Sequence, residues 1–241
     1  ISGSFPHENI FTYDIDPEKS KEFPGIRSTP YIDEVIESST ILIIAVKPDR
    51  VNEILLKLTD YNGIIVSVAA GIKLETLLKT AGTDKKIIRA MPNTPAVSGC
   101  GMTVLSPCDN LLHQETSAAE DIFSTTGKVL VLDEKYMDAV TGVSGSGPAY
   151  VFTFIQAMAD GAVKMGIPRD YALTLAAQTV YGSAKMFLDK SENPIKLRDQ
   201  VASPGGTTIE AIHILEKAGF SGIIINAIEA AALKSKELGK T

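Results

Sequence analysis

Six short runs of β-branched and aliphatic residues, set between stretches with helical spacing, constrain the first half of this chain more than any other feature of its sequence. Ile10–Tyr13, Ile41–Val46, Ile64–Val68, Lys86–Ala90, Met102–Leu105 and Lys128–Leu132 read as strands. Arg50–Leu58, Leu74–Lys79 and Glu115–Phe123 carry the spacing of helices. Strands that alternate with helices predict a mostly parallel sheet covered by helices on both faces.

After Asp133 the strand-like runs give way to long helix-forming stretches rich in Ala, Met and Leu, so a domain boundary is expected at Asp133–Glu134, dividing the chain into 1–133 and 134–241. In Ala149–Met165 the strongly polar residues Gln156, Asp160 and Lys164 recur every fourth position. That spacing confines them to one narrow stripe of a helix, which is then expected to be buried nearly all round. Ser221–Leu233 shows the same bias, with Asn226 and Glu229 on one side. Two such helices in a domain of about a hundred residues leave more apolar surface than a small core covers, and an obligate homodimer is expected. A membrane span competes as an explanation of Ala149–Met165, but its polar residues and Gly161 interrupt the run well short of the roughly 20 apolar residues a bilayer core requires.

Lys and Arg number 23 against 29 Asp and Glu, a formal net charge of −6, and no basic block stands out, so neither nucleic acid nor an anionic membrane surface is an expected partner. Cys100 and Cys108 are too few for a secreted disulfide framework or a thiolate metal site and read as reduced thiols. His7, His113 and His213 match no metal spacing, and no metal is expected. No basic segment followed by an apolar one opens the chain, and a cytoplasmic location is expected. Ile1-Ser2-Gly3-Ser4 reads as the frayed end of a helix, as though the chain began in the middle of a fold.

In a doubly wound sheet, ligands bind beyond the carboxyl ends of the strands. Three such ends are rich in small or turn-forming residues: Ala45-Val46-Lys47-Pro48, Val68-Ala69-Ala70-Gly71 and Met91-Pro-Asn93-Thr-Pro95. Each alone reads equally as ordinary turn chemistry; together they suggest one rim. Asp14 falls at the end of the first strand, where an acidic side chain accepts from ribose hydroxyls and repels a 2′-phosphate, which favours NADH over NADPH. The alternative is that Asp14 caps the next turn. Ser203-Pro-Gly205-Gly206-Thr207-Thr208 combines glycines able to aim successive N–H groups at one point with a helix start whose positive end favours an anion. Such a loop holds a carboxylate or phosphate, with the Thr208 hydroxyl facing the reacting part of the ligand; it reads equally as a glycine hinge with a Thr cap.

Ala45–Pro48, Met91–Pro95, Val143–Tyr150 (VSGSGPAY), Asp160–Gly166 (DGAVKMG) and Val201–Glu210 (VASPGGTTIE) together resemble the pyrroline-5-carboxylate reductase family, in order and across almost the whole chain. The resemblance implies reduction of 1-pyrroline-5-carboxylate to L-proline by hydride transfer from NADH or NADPH, the final step of proline biosynthesis. It places Ala45, Val46, Lys47, Pro48, Val68, Ala69, Ala70 and Asn93 against the dinucleotide. It assigns Ser203, Gly205, Gly206, Thr207 and Thr208 to the substrate carboxylate and imine, Thr208 as the catalytic hydroxyl, and Glu192 to an acidic position near the substrate. It further implies interdigitated dimers and rings of dimers. The family's opening strand and its G-x-G-x-x-G turn, where a pyrophosphate meets a helix N-terminus, are not in this sequence.

The fold expected is therefore an α/β Rossmann-like N-terminal domain without that first strand and Gly-rich turn, followed by an all-α C-terminal dimerisation domain. Two other functions fit the same architecture. A nicotinamide-dependent 3-hydroxy acid dehydrogenase would need Lys164 or Lys185 as its catalytic base. A non-catalytic binding protein would have kept the fold and lost the cofactor.

Overall fold

The computed structural model describes residues 5–20, 23 and 25–239, so the helix end expected at Ile1–Ser4 lies outside the described residues. Two compact units are resolved: Ile1–Ser146 together with Ala230–Thr241, and Gly147–Glu229. This division runs at Gly147, whereas the change in sequence character lies at Asp133; the segment between them packs as part of the first unit.

The first unit opens with β1 (Phe11–Thr12), α1 (Pro17–Ser20), β2 (Arg27–Ser28) and α2 (Ile32–Ser38). It continues through β3 (Ile41–Ile44), α3 (Pro48–Leu56), β4 (Ile64–Ser67), α4 (Leu74–Ala81), β5 (Lys86–Met91), β6 (Gly101–Pro107), α5 (His113–Ser124) and β7 (Gly127–Val131). The strands β3-β4-β5-β6-β7 form one sheet in that order, while β1 and β2 form a separate parallel pair. All neighbours in the larger sheet are parallel except β5 and β6. The antiparallel pair has a simple cause: residues 92–100 are too few for a crossover, which needs about a dozen residues or more, so the chain turns back at the same edge.

Strand periodicity sends alternate side chains of β4 and β5 into two cores. Ile65 and Ile87 pack with Val51, Leu55, Leu74 and Leu77 of α3 and α4. Ile64, Val66, Ile88 and Ala90 pack with Leu105 and with Ala119 and Phe123 of α5. Both faces of the sheet are thereby covered, as near-continuous Ile and Val runs require.

One charge lies inside this apolar frame. Arg89 of β5 is 4% exposed, and its guanidinium donates to Glu134 at 3.1 Å. The same Glu134 oxygen accepts the N–H of Leu74, the first residue of α4, at 2.6 Å. One carboxylate thus neutralises a buried cation and satisfies an orphan donor at a positive helix end. After Glu134 the chain makes α6 (Met137–Val140) and a π-helical turn, Thr141–Gly145. Ser235 and Asp138 bond at 2.7 Å within this unit.

The second unit holds α7 (Gly147–Lys164), α8 (Arg169–Lys190), α9 (Pro194–Val201), α10 (Thr207–Lys217) and the first half of α11 (Phe220–Leu238). Its helices α7 and α8 pack through Ala159, Ala172 and Ala176, surrounded by Ile155, Met158, Ala162 and Val163. Asp160 accepts from Arg169 at 2.5 Å and from Gln156 at 2.9 Å, and the guanidinium holds its carboxyl below the usual range.

The expectation that α7 is buried all round does not hold within one chain. Ala159 is its one buried residue, whereas Phe152 is 65% exposed; on α11, Ile225 is 63% exposed. A sequence pattern reports burial in whatever assembly the residues occupy, and here the covering layer is not part of the same chain. Among the described residues no single helix is long and apolar enough to cross a membrane; only α10 and α11 together, bent by 50°, reach that length. Cys100 is exposed and Cys108 buried, both as free thiols.

Two stability predictions follow from this packing. The thermal unfolding midpoint should rise over about a hundredfold increase in protein concentration, because folding is linked to association; calorimetry showing no dependence would refute it. Glu134→Ala strands Arg89 and the Leu74 N–H together and should lower the unfolding free energy by up to about 3 kcal/mol. Glu134→Gln keeps an acceptor and should cost less, as denaturant titration at fixed protein concentration would reveal.

Candidate active site

Because β3, β4 and β5 are adjacent and parallel, their carboxyl ends lie along one edge of the sheet. At the end of β3, Ala45, Val46, Lys47 and Pro48 are all exposed. Pro48 is the first residue of α3, where a missing N–H costs nothing, and the Lys47 carbonyl accepts the Arg50 N–H at 2.9 Å. At the end of β4, the Val68 N–H donates to the Ile44 carbonyl at 3.2 Å, extending the ladder by one residue. Ala70 is exposed and Gly71 takes φ +81°, a left-handed turn open to glycine.

Ala69 differs from its neighbours. It is 5% exposed and its side chain belongs to the core beneath α3 and α4, so only its backbone is left to meet a ligand. The alternation of strand side chains continues one step past the strand and turns this residue inward.

At the end of β5, Asn93 is half-buried and both ends of its carboxamide are engaged. Its Nδ2 donates to the Ser144 carbonyl at 3.0 Å and its Oδ1 accepts the Met102 N–H at 2.8 Å. The edge as a whole offers small side chains and accessible backbone, which suits the flat rings and ribose of a dinucleotide. No Gly-rich pyrophosphate turn occurs among the described residues.

Asp14 follows β1 and behaves as the capping alternative describes. Its Oδ1 accepts the Asp16 N–H at 2.9 Å, and its Oδ2 lies 3.8 Å from the exposed Lys19 ammonium. Asp16 in turn accepts the Glu18 N–H at 3.1 Å.

In the second unit, Ser203–Gly206 closes a turn in which the Gly206 N–H donates to the Ser203 carbonyl at 3.1 Å. Gly205 has φ +67°. A Cβ on Gly206 would lie 2.4 Å from the Ser203 hydroxyl oxygen, so any larger residue there would have to displace the Ser203 side chain. Gly206, not a threonine, is the N-cap of α10, and no side chain caps the helix. The first N–H groups of α10, beginning at Thr207, therefore point out of the helix end without a side-chain acceptor.

Thr208 sits one residue further along. Elsewhere in this unit Thr153, Thr174, Thr179 and Ser183 each donate to the carbonyl four residues earlier. The residue four before Thr208 is Pro204, outside the helix, and the Thr208 hydroxyl makes no hydrogen bond to a protein group. It is half-buried beside an uncapped helix end.

Glu192 lies in the turn from α8 to α9, next to Ser191, which holds φ +50°. Its carboxylate pairs with Lys196 and accepts from Gln200 at 3.2 Å, three residues before Ser203. The strand-end residues thus belong to the first unit, and Glu192 and the glycine loop to the second. Lys185, the base a 3-hydroxy acid dehydrogenase would require, donates to Asp189 at 2.6 Å, and that bond raises its affinity for its proton. Among the described residues no group of three His, Cys, Asp or Glu is placed to hold a metal.

Sequence reasoning missed two features. The Arg89 and Glu134 pair carried a signal, since a charge within the apolar run Lys86–Ala90 must find a partner. The π-helical turn at Thr141–Gly145 carried none, because its register depends on packing.

The family model described as pyrroline-5-carboxylate reductase dimerisation matches residues 134–238. The pyrroline-5-carboxylate reductase of Pisum sativum is 43% identical over 242 residues, covering 98% of this chain and 88% of its own. A pyrroline-5-carboxylate reductase structure from Coxiella burnetii superposes with a TM-score of 0.94 at 30% identity, over 100% of this chain and 92% of that one. The structure of Plasmodium falciparum pyrroline carboxylate reductase with NADP bound superposes with a TM-score of 0.87 at 32% identity, over 97% and 88% of the two chains.

Proposed function

This chain belongs to the pyrroline-5-carboxylate reductase family, and from that premise we propose how its residues divide the work of reducing a cyclic imine. The protein is an NAD(P)H-dependent oxidoreductase that converts 1-pyrroline-5-carboxylate to proline, and it is a homodimer. Ala45, Val46, Lys47 and Pro48, with Val68, Ala70 and the backbone of Ala69, seat the dinucleotide along the strand ends. The nicotinamide, when bound, supplies a hydride to the imine carbon.

Ser203, Gly205, Gly206 and Thr207 hold the substrate carboxylate. The uncapped N–H groups and the positive end of α10 favour an anion there. The Thr208 hydroxyl donates to the imine nitrogen and polarises the C=N bond as the carbon accepts hydride. The observation that carries this assignment is that the Thr208 hydroxyl bonds no protein group, whereas the threonines of α7 and α8 bond their own helices. Glu192, held by Lys196 and Gln200, keeps a negative charge close in sequence to the loop. Asp14, its side chain 38% exposed after β1, accepts from ribose hydroxyls and favours NADH. We place the enzyme in the cytoplasm, in keeping with its free Cys100 and Cys108. Exposed side chains such as Tyr171 and Tyr181 support assembly of dimers into rings.

Thr208→Val keeps the shape of the side chain and removes its donor, and kcat should fall by about 10²- to 10⁴-fold while the substrate KM changes little. An unchanged kcat in a folded, cofactor-binding dimer would remove Thr208 from the mechanism. The ratio of kcat/KM for NADH to that for NADPH should exceed one and drop on Asp14→Ala; a clear NADPH preference in the parent enzyme would refute the role of Asp14.

A further inference from the structure

Helix α7 begins with Gly147-Pro148, directly after the π-helical turn Thr141–Gly145. In a continuing helix the carbonyl of Ser144 would accept the N–H of residue 148. Pro148 has none. A half-buried carbonyl without a donor is costly, and its partner must come from elsewhere. It comes from Asn93, whose Nδ2 donates to the Ser144 carbonyl at 3.0 Å. The other end of the same carboxamide accepts the Met102 N–H at 2.8 Å, at the start of β6.

The contact is built from both sides. The methyl of Met91 occupies the position 2.5 Å from where a Cβ on Gly145 would stand, so the end of β5 lies directly against the turn. The Ser144 hydroxyl is committed to the Val140 carbonyl at 3.2 Å, and the Thr141 hydroxyl to the Met137 carbonyl at 2.9 Å. The Ser146 N–H reaches the Thr141 carbonyl at 2.8 Å, the five-residue step of the π turn. These neighbouring donors serve other carbonyls, and the Ser144 carbonyl accepts from Asn93.

We propose that Asn93 is a positioning residue for hydride transfer, which holds the carbonyl orphaned by Pro148 and so fixes the β5 strand end, instead of binding the dinucleotide through its carboxamide. This rests on the reading that the strand ends seat the dinucleotide. A rim loop that shifts by a fraction of an ångström misplaces whatever lies on it, and turnover is sensitive to such displacement.

Two variants of the dimeric enzyme test this, Asn93→Leu and Asn93→Leu with Pro148→Ala, the second giving residue 148 an N–H. Asn93→Leu should lower kcat on the order of 10- to 100-fold, and the added N–H should recover a substantial part of that loss. In the cofactor-free protein, amide exchange over residues 91–102 and 141–147 should speed up in the single variant and slow again over 141–147 in the double. If Asn93→Leu does not give a folded dimer, Asn93→Asp, which keeps the acceptor for Met102 and loses only the donor, carries the same comparison. A rise confined to the cofactor KM, with no recovery from Pro148→Ala, would make Asn93 a direct ligand and overturn the proposal. So would a loss of thermal stability with unchanged kinetics. A parent enzyme that fails to reduce the imine with either cofactor would count against the functional reading, and the exchange measurements would still decide the role of Asn93.

Discussion

Burial of β4 and β5 on both faces is the constraint on which the rest of the first unit depends. Ile64 to Val66 and Ile87 to Ala90 send side chains into two separate cores, one under α3 and α4 and one under α5. A sheet sealed on both faces has no surface left for chemistry except its edges and the ends of its strands. Small residues at Ala45 and Ala70 leave backbone exposed there, while Ala69 one step away is already part of the core.

Sealing the sheet has an electrostatic consequence. Arg89 lies within it, and a buried guanidinium demands a carboxylate. Glu134 supplies it from the first residue after the change in sequence character and at the same time serves the Leu74 N–H. The segment that follows Asp133 is thereby tied to the sheet, which explains why the compact unit extends to Ser146. Asn93 acts in the same fashion a few residues later, where a proline leaves the Ser144 carbonyl without its helical donor.

The helical unit obeys the opposite rule. Its core in one chain is three alanines with a ring of partly buried aliphatic side chains, and large apolar residues of α7, α8 and α11 remain exposed. Apolar surface of this kind suits an interface with a second copy, in agreement with the match to a dimerisation family. Within that setting the start of α10 is marked by a glycine N-cap and a threonine hydroxyl that bonds no protein group. These are donors without a partner in the chain, the setting that favours an anion.

By itself the sequence determined the strand and helix pattern, the succession of an α/β part by a helical one, and the family. Each of these is encoded locally, in periodicity or in residues whose backbone freedom or missing N–H has one structural meaning. The strand runs Ile64–Val68 and Lys86–Ala90 are recovered almost unchanged as β4 and β5. Tertiary structure alone decided the reversal of β6, the inward turn of Ala69 and the commitment of the Asn93 carboxamide to Ser144 and Met102. It also decided the exposure of α7, which the sequence presents as a buried helix. Those outcomes depend on partners distant in sequence or on a second chain, and a polar or apolar side chain carries no record of which distant group will satisfy it.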